Sequence, residues 1–161
     1  TGWRRPLAVN LNLSPSQIAR KNIADRLIET LDAHPADLID LRLEITEGQL
    51  LERPERLEQL RDRGFRIIVD DFGTGYSSLS RIKEIPMDEL KLDMEFVQRA
   101  VDNQGDEAIV RTVIELGRQL DVPVIAEGVE TEAQLDLLER LGCTAVQGYY
   151  FGKPAPFDEL V

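Results

Sequence analysis

Residues 64–79 read GFRIIVDDFGTGYSSL: a glycine, a short apolar run, two aspartates and a glycine-rich loop. The run Phe65–Asp71 has the length and the β-branched content that are typical of a buried strand. Gly64 stands where a helix commonly ends before a strand begins. The stretch therefore predicts a helix, a strand and a polar loop in succession, with acidic side chains where the strand ends.

Similar apolar runs recur along the chain, and segments with helical periodicity lie between them. The other predicted strands are Pro6–Asn12, Ile39–Thr46, Leu90–Asp93, Pro123–Glu127 and Thr144–Gln147. Mainly apolar strands joined by helices indicate a parallel sheet covered by helices, either an open doubly wound sheet or a (β/α) barrel. The residues alone leave both architectures open.

Two helix starts and a helix end are also marked in the sequence. Ser14–Gln17 and Thr131–Gln134 both have the pattern of a capping box, and the first has a proline at the opening helical position. Gly142 stands where a helix is expected to stop. Ser14, Gln17 and Thr131 are thus interpreted as helix caps rather than as site residues.

Composition limits the class of protein. The 161 residues include 30 acidic and 19 basic side chains, for a net charge of -11, which argues against binding of long nucleic acid. A small anionic ligand is still compatible, because divalent cations invert the electrostatics of an acidic pocket. The one cysteine excludes an internal disulfide, and no apolar run approaches the roughly 18 residues of a membrane span. A cytoplasmic location is expected, with any membrane anchor in segments outside this sequence.

Polar residues close each predicted strand, where functional groups gather in parallel α/β folds. They are Asn10, Asn12, Glu44, Asp70, Asp71, Lys91, Asp93, Glu127 and Gln147. Carboxylate and amide oxygens are the ligands that Mg²⁺ and Mn²⁺ prefer, and adjacent aspartates can share two ions. The pattern predicts two-metal hydrolysis of a phosphodiester, in which Lys91 orients water or neutralises charge and Glu127 holds a metal or accepts a proton. Single positions also have plainer interpretations, since an acid after a strand often caps a helix and Lys91 beside Asp93 could form a simple ion pair.

The loop from Asp70 to Leu79 closely resembles the signature of EAL domains, the bacterial phosphodiesterases that linearise cyclic di-GMP. Further motifs agree in order along the chain. They are Asn12-Leu13-Ser14-Pro15, Glu44-Ile45-Thr46-Glu47, Leu90-Lys91-Leu92-Asp93, Ala126-Glu127-Gly128-Val129-Glu130-Thr131 and the closing Gln147-Gly148-Tyr149-Tyr150-Phe151-Gly152-Lys153-Pro154. The resemblance covers essentially the whole chain.

The resemblance implies a TIM-like (β/α)8 barrel and a role for each matching residue. It implies two Mg²⁺ or Mn²⁺ ions held by Asn12, Glu44, Asp70, Asp71 and Glu127, with Lys91 and Glu127 flanking the nucleophilic water. Gln147 and Asp93 would bind substrate, and Glu47, Glu130 and Thr74 would stabilise the aspartate loop. A homodimer and linked sensor or diguanylate cyclase domains are further expectations.

One departure from the family pattern is that the Glu-Ala-Leu motif, whose glutamate is a metal ligand in the family, does not occur here. A full barrel has eight strands in about 250 residues. We therefore expect residues 1–161 to be the C-terminal part of one barrel, with about six strand–helix units, exposed strand edges and weak or no activity by itself.

Two other functions stay open at this point. A non-catalytic EAL domain could act as a cyclic di-GMP receptor or bind a protein partner. A metal-assisted lyase or racemase barrel with Lys91 as base is a more distant alternative, because such sites also carry acids at strand ends.

Overall fold

The computed structural model describes residues 7–32, 39–50, 54–73 and 85–156. The chain divides into two compact units, one of Thr1–Asp70 with Gly75–Glu89 and one of Asp71–Thr74 with Leu90–Val161. The strands are β1 (Leu7–Asn12), β2 (Ile39–Thr46), β3 (Arg66–Phe72), β4 (Glu89–Leu92), β5 (Val124–Ala126) and β6 (Ala145–Val146). The helices are α1 (Pro15–Ile18), α2 (Ile23–Asp32), α3 (Glu47–Leu50), α4 (Pro54–Asp62), α5 (Met94–Arg99), α6 (Gln104–Leu120) and α7 (Glu132–Leu141).

In the first unit, β1, β2 and β3 lie side by side in that order and run parallel. Their alternating side chains give the sheet an apolar face and a polar face. Leu43, Ile45, Ile67 and Val69 on one face are at most 1% exposed. Arg42 and Glu44 of β2 share the other face by the two-residue period, as do Asn10 and Asn12 of β1.

In the second unit, β4, β5 and β6 are again parallel neighbours in chain order. Leu90, Leu92 and Ala126 are fully buried. Helix α6 comes very close to β5, because a Cβ added to Gly117 would lie 2.3 Å from Val124 Cγ2. Repeated parallel strands that alternate with helices confirm the predicted α/β fold.

Strand positions agree with the sequence prediction, and strand lengths differ at the ends. β5 and β6 are shorter than predicted, at three and two residues. Beyond these two strands the backbone hydrogen bonds continue without a regular ladder. Gln147 N–H donates to the Ala126 carbonyl, and Val129 N–H donates to the Gln147 carbonyl. The outer strand β1 is exposed along its whole length, as expected for a strand edge. Within the described residues, no helix is long and apolar enough to cross a membrane.

The predicted helix caps are confirmed. Ser14 and Thr131 each accept the backbone N–H of a glutamine three residues on, and Gln17 and Gln134 complete the two capping boxes. Gly142 ends α7 in the left-handed conformation, with φ of 77°. These side chains therefore define where helices begin and end.

Candidate metal and catalytic site

The polar face of the first unit brings two predicted metal ligands together. Asn12 and Glu44 are directly opposite each other in the β1–β2 register, and the Leu13 N–H donates to the Glu44 carbonyl at 2.9 Å. Side chains of paired residues in a parallel ladder project to the same face. The amide of Asn12 and the carboxylate of Glu44 therefore leave the sheet side by side. Asp70 stands opposite Thr46 at the end of the neighbouring strand pair.

Glu44 is a buried carboxylate, with 5% of its surface exposed. One of its oxygens, Oε1, accepts a hydrogen bond from Asn10 Nδ2 at 2.8 Å. A buried charge is tolerated only where hydrogen bonds or opposite charges compensate for lost hydration. Asn10 thus belongs to the immediate surroundings of the predicted ligand.

In the second unit, Lys91 and Glu127 form a buried ion pair at the ends of β4 and β5. Lys91 Nζ lies 2.7 Å from Glu127 Oε1, and the two side chains are 7% and 18% exposed. Gln147 Nε2 donates a hydrogen bond to the same oxygen. Lys91 therefore pairs with Glu127, whereas the sequence had also allowed a simple pair with Asp93.

Asp71 has an unusual backbone, with a positive φ of 54°. In a regular strand Asp70 and Asp71 would point to opposite faces, but the left-handed conformation breaks that alternation. The carboxylates of Asp71 and Glu127 offer oxygens within 4.8 Å of each other. Two acids at that distance repel unless a cation lies near them, and Lys91 supplies one such charge. The oxygen donors of this group suit a hard divalent cation.

Helix α5 packs against the loops that follow Asp71 and Glu127. This helix was not predicted from the sequence. A Cβ on Gly73 would lie 3.0 Å from the Phe96 ring, and one on Gly128 would lie 2.5 Å from Met94 Cβ. Gln98 Nε2 donates to Glu130 Oε1 at 3.3 Å. Glu130 is thereby tied to α5. The sequence did contain a signal for α5. Asp93 is the N-cap of this helix, and aspartate before a short amphipathic run is a typical helix start.

Three predicted roles are not decided by the geometry. Asp93 accepts the Glu95 N–H at 2.6 Å as a helix cap, and substrate binding by it stays a prediction. Glu47 is buried at the start of α3, with 5% exposure, and its effect on the aspartate loop also stays a prediction. Thr74 lies outside the described residues.

An open cleft of about 470 Å³ lies beside Glu127 in the second unit. Gln147, Tyr149 and Lys153 contribute to its lining, and the Lys153 ammonium lies 5.6 Å from the centroid of the Tyr149 ring. The volume suits a small molecule. The ion pair of Lys91 and Glu127 thus stands next to space for a ligand.

A family model described as EAL domain matches residues 2–154. The chain belongs to the EAL domain family. Among EAL relatives, the chain is 41% identical over 157 residues to the bifunctional diguanylate cyclase/cyclic di-GMP phosphodiesterase MucR of Pseudomonas aeruginosa. That alignment covers 95% of this chain and 23% of MucR. The chain thus spans about a fifth to a quarter of the curated relatives it matches.

Solved EAL structures share the fold. The PaMucR phosphodiesterase in its c-di-GMP complex matches with a TM-score of 0.87 at 40% identity, covering 96% of this chain and 64% of that one. Klebsiella pneumoniae BlrP1 in a manganese/cy-diGMP complex matches with a TM-score of 0.78 at 30% identity, covering 91% and 38%. These likenesses confirm the barrel-type architecture, and the described residues include six of its strands.

Proposed function

We propose that this EAL chain belongs to a Mg²⁺- or Mn²⁺-dependent phosphodiesterase that hydrolyses cyclic di-GMP to the linear dinucleotide pGpG. The observation that carries the proposal is the buried pair of Lys91 and Glu127, 2.7 Å apart, with the Asp71 carboxylate within 4.8 Å of Glu127. Metal-assisted hydrolysis of a phosphodiester can use acids that hold the metal and a lysine that stabilises negative charge, and the adjoining cleft offers space for the substrate. Relatives named as cyclic di-GMP phosphodiesterases support the choice of substrate.

Five residues form the proposed metal set: Asn12, Glu44, Asp70, Asp71 and Glu127. All five offer oxygen atoms, which fits Mg²⁺ or Mn²⁺ and disfavours softer metals. Two bound ions would supply Lewis-acid stabilisation of the charge that develops on the phosphodiester. The manganese complex of a 30% identical EAL protein is consistent with this set.

Lys91 and Glu127 are the proposed catalytic pair. Glu127 receives N–H groups from both Lys91 and Gln147 on one oxygen, which fixes the direction of its carboxylate. A fixed carboxylate beside an ammonium group can accept a proton from attacking water while the ammonium stabilises negative charge. Gln147 and Asp93 are proposed to contact substrate. Glu47, Glu130 and Thr74 are proposed to support the aspartate loop.

The wider setting of the chain is part of the proposal. Cyclic di-GMP is the proposed ligand, and a homodimer in the cytoplasm is the proposed state. A linked diguanylate cyclase domain is supported by MucR, whose name describes both activities. Linked sensor domains and a membrane anchor elsewhere in the protein stay predictions.

To test the proposed activity, this chain is placed in a complete EAL barrel whose structure is known. Residues 7–156 replace the matching segment of the P. aeruginosa MucR phosphodiesterase domain, and the chimera is mixed with cyclic di-GMP and Mn²⁺. We expect pGpG to form, as measured by chromatography, and we expect Lys91→Met and Glu127→Gln each to lower kcat at least about 100-fold. This chain by itself is expected to turn over little or no substrate.

A matched control is Glu115→Gln in the chimera, because Glu115 forms an exposed pair with Arg118 in α6. It should leave kcat unchanged. A folded chimera that binds cyclic di-GMP by calorimetry without forming pGpG would support the receptor alternative instead. A folded chimera that neither binds nor hydrolyses cyclic di-GMP would refute both functions for these residues.

A further inference from the structure

Asn10 lies two residues before the predicted ligand Asn12, on the same polar face of β1. In the β1–β2 register Asn12 is opposite Glu44, and Asn10 is opposite Arg42. Asn10 thus comes to lie diagonally beside Glu44 on the same face. It is outside the proposed metal set and outside the cleft beside Glu127.

The contact between Asn10 and Glu44 has a defined direction. Asn10 Nδ2 lies 2.8 Å from Glu44 Oε1. An ionised carboxylate can only accept hydrogen bonds, so the amide nitrogen of Asn10 must face it. Such a bond to a charged group is stronger than one between neutral groups.

We propose that Asn10 is a positioning residue that holds the Glu44 carboxylate in the orientation that binds a divalent cation. The terminal torsion of a glutamate is broad, so an isolated carboxylate samples many orientations about it. A donor fixed on a strand and bonded to Oε1 narrows that range before the cation arrives. The inference rests on the proposed function, because it assigns a cation to Glu44.

A purely structural role for Asn10 has a different consequence. In that case the amide would only compensate for the burial of Glu44, which is 5% exposed, and its loss would lower stability alone. A positioning role instead predicts weaker cation binding, since partners of metal ligands typically contribute 10- to 100-fold to affinity. Cation affinity and thermal stability therefore separate the two roles.

The experiment measures Mn²⁺ binding to the MucR chimera by calorimetry and by the electron paramagnetic resonance of free Mn²⁺. Asn10→Leu removes the donor and keeps the side-chain size, and we expect about 10-fold weaker Mn²⁺ binding. Asn10→Gln keeps an amide and should restore part of the affinity. In a Glu44→Gln background, Asn10→Leu should change the affinity no further, because the two residues act through one contact.

Asn103→Leu is the matched control. Asn103 caps α6 through hydrogen bonds from the backbone of Gly105 and Asp106, so its loss should lower Tm and leave Mn²⁺ affinity unchanged. A chimera without further substitutions that binds no Mn²⁺ would refute the proposed metal site and this inference together. Wild-type binding that Asn10→Leu leaves intact, or that Asn103→Leu weakens equally, would refute the inference alone.

Discussion

Glu89→Gln tests whether an ion-pair group at the amino ends of the strands stabilises the fold. Glu89 Oε1 and Oε2 accept hydrogen bonds from Arg42 Nη1 at 2.8 and 3.0 Å, and the Glu89 side chain is 10% exposed. Arg66 Nη1 lies 3.8 Å from the same carboxylate. Arg42 and Arg66 are opposite each other in the β2–β3 register, so Glu89 neutralises two adjacent cations.

The expected loss of folding stability depends on how buried the ion pair is and on which partners Arg42 keeps. Removing one member of a buried ion pair costs about 3–5 kcal/mol. Arg42 is 21% exposed and keeps Asp40 at 3.0 Å, so we expect a smaller loss, about 2–3 kcal/mol. For a chain of this size that corresponds to a Tm lower by about 5–10 °C.

The assay is thermal unfolding followed by circular dichroism, with Glu115→Gln as control. Glu115 and Arg118 are 49% and 61% exposed, so the same substitution there should cost at most about 0.5 kcal/mol. Equal Tm shifts in the two variants would refute the reasoning, because burial would then have no effect. The Mn²⁺ affinity of Glu89→Gln should match that of the wild type, because Glu89 is not in the proposed metal set.

Two further predictions concern single positions in the second unit. Gly128→Ala should lower the free energy of unfolding in urea by at least about 1–2 kcal/mol, since Gly128 has φ of 71° and its Cβ would lie 2.5 Å from Met94 Cβ. Gly48→Ala in α3, where nothing lies within 4 Å, should be neutral or stabilising, and a similar loss there would contradict the steric argument. Burial raises the pKa of the Cys143 thiol above its usual value of 9.0, so iodoacetamide should modify the native chain more slowly at pH 8 than the chain in urea. Because the folded pKa is the higher one, the associated stability should be lost as the pH rises above about 9, and a Tm that increases over that range would contradict the assignment.

The sequence predicted features that depend on local patterns. Six strands were located from apolar runs, and both capping boxes were located from residues three positions apart. Such features depend on period and on neighbours in the chain, which a single sequence displays. The positions of Glu44, Lys91 and Glu127 near strand ends could be predicted for the same reason, because the end of an apolar run is visible in the sequence.

What the sequence did not predict depends on contacts between distant segments. Asn10 and Glu44 are separated by 34 positions, and Arg42 and Glu89 by 47. The spacing of apolar residues along a sequence does not predict a hydrogen bond between residues so far apart in the chain. The left-handed backbone of Asp71 was missed as well, because aspartate does not require that conformation, whereas glycine commonly signals it.

Glu89 and Glu44, two buried carboxylates of the first unit, illustrate how a structural acid and a proposed metal ligand differ. Glu89 meets two arginines, so its charge is matched at the amino end of the sheet by protein groups. Glu44 accepts a hydrogen bond from the neutral amide of Asn10, and we propose that this bond orients the carboxylate for a cation. The Glu89 and Asn10 variants test this difference directly, because only the second should change Mn²⁺ affinity.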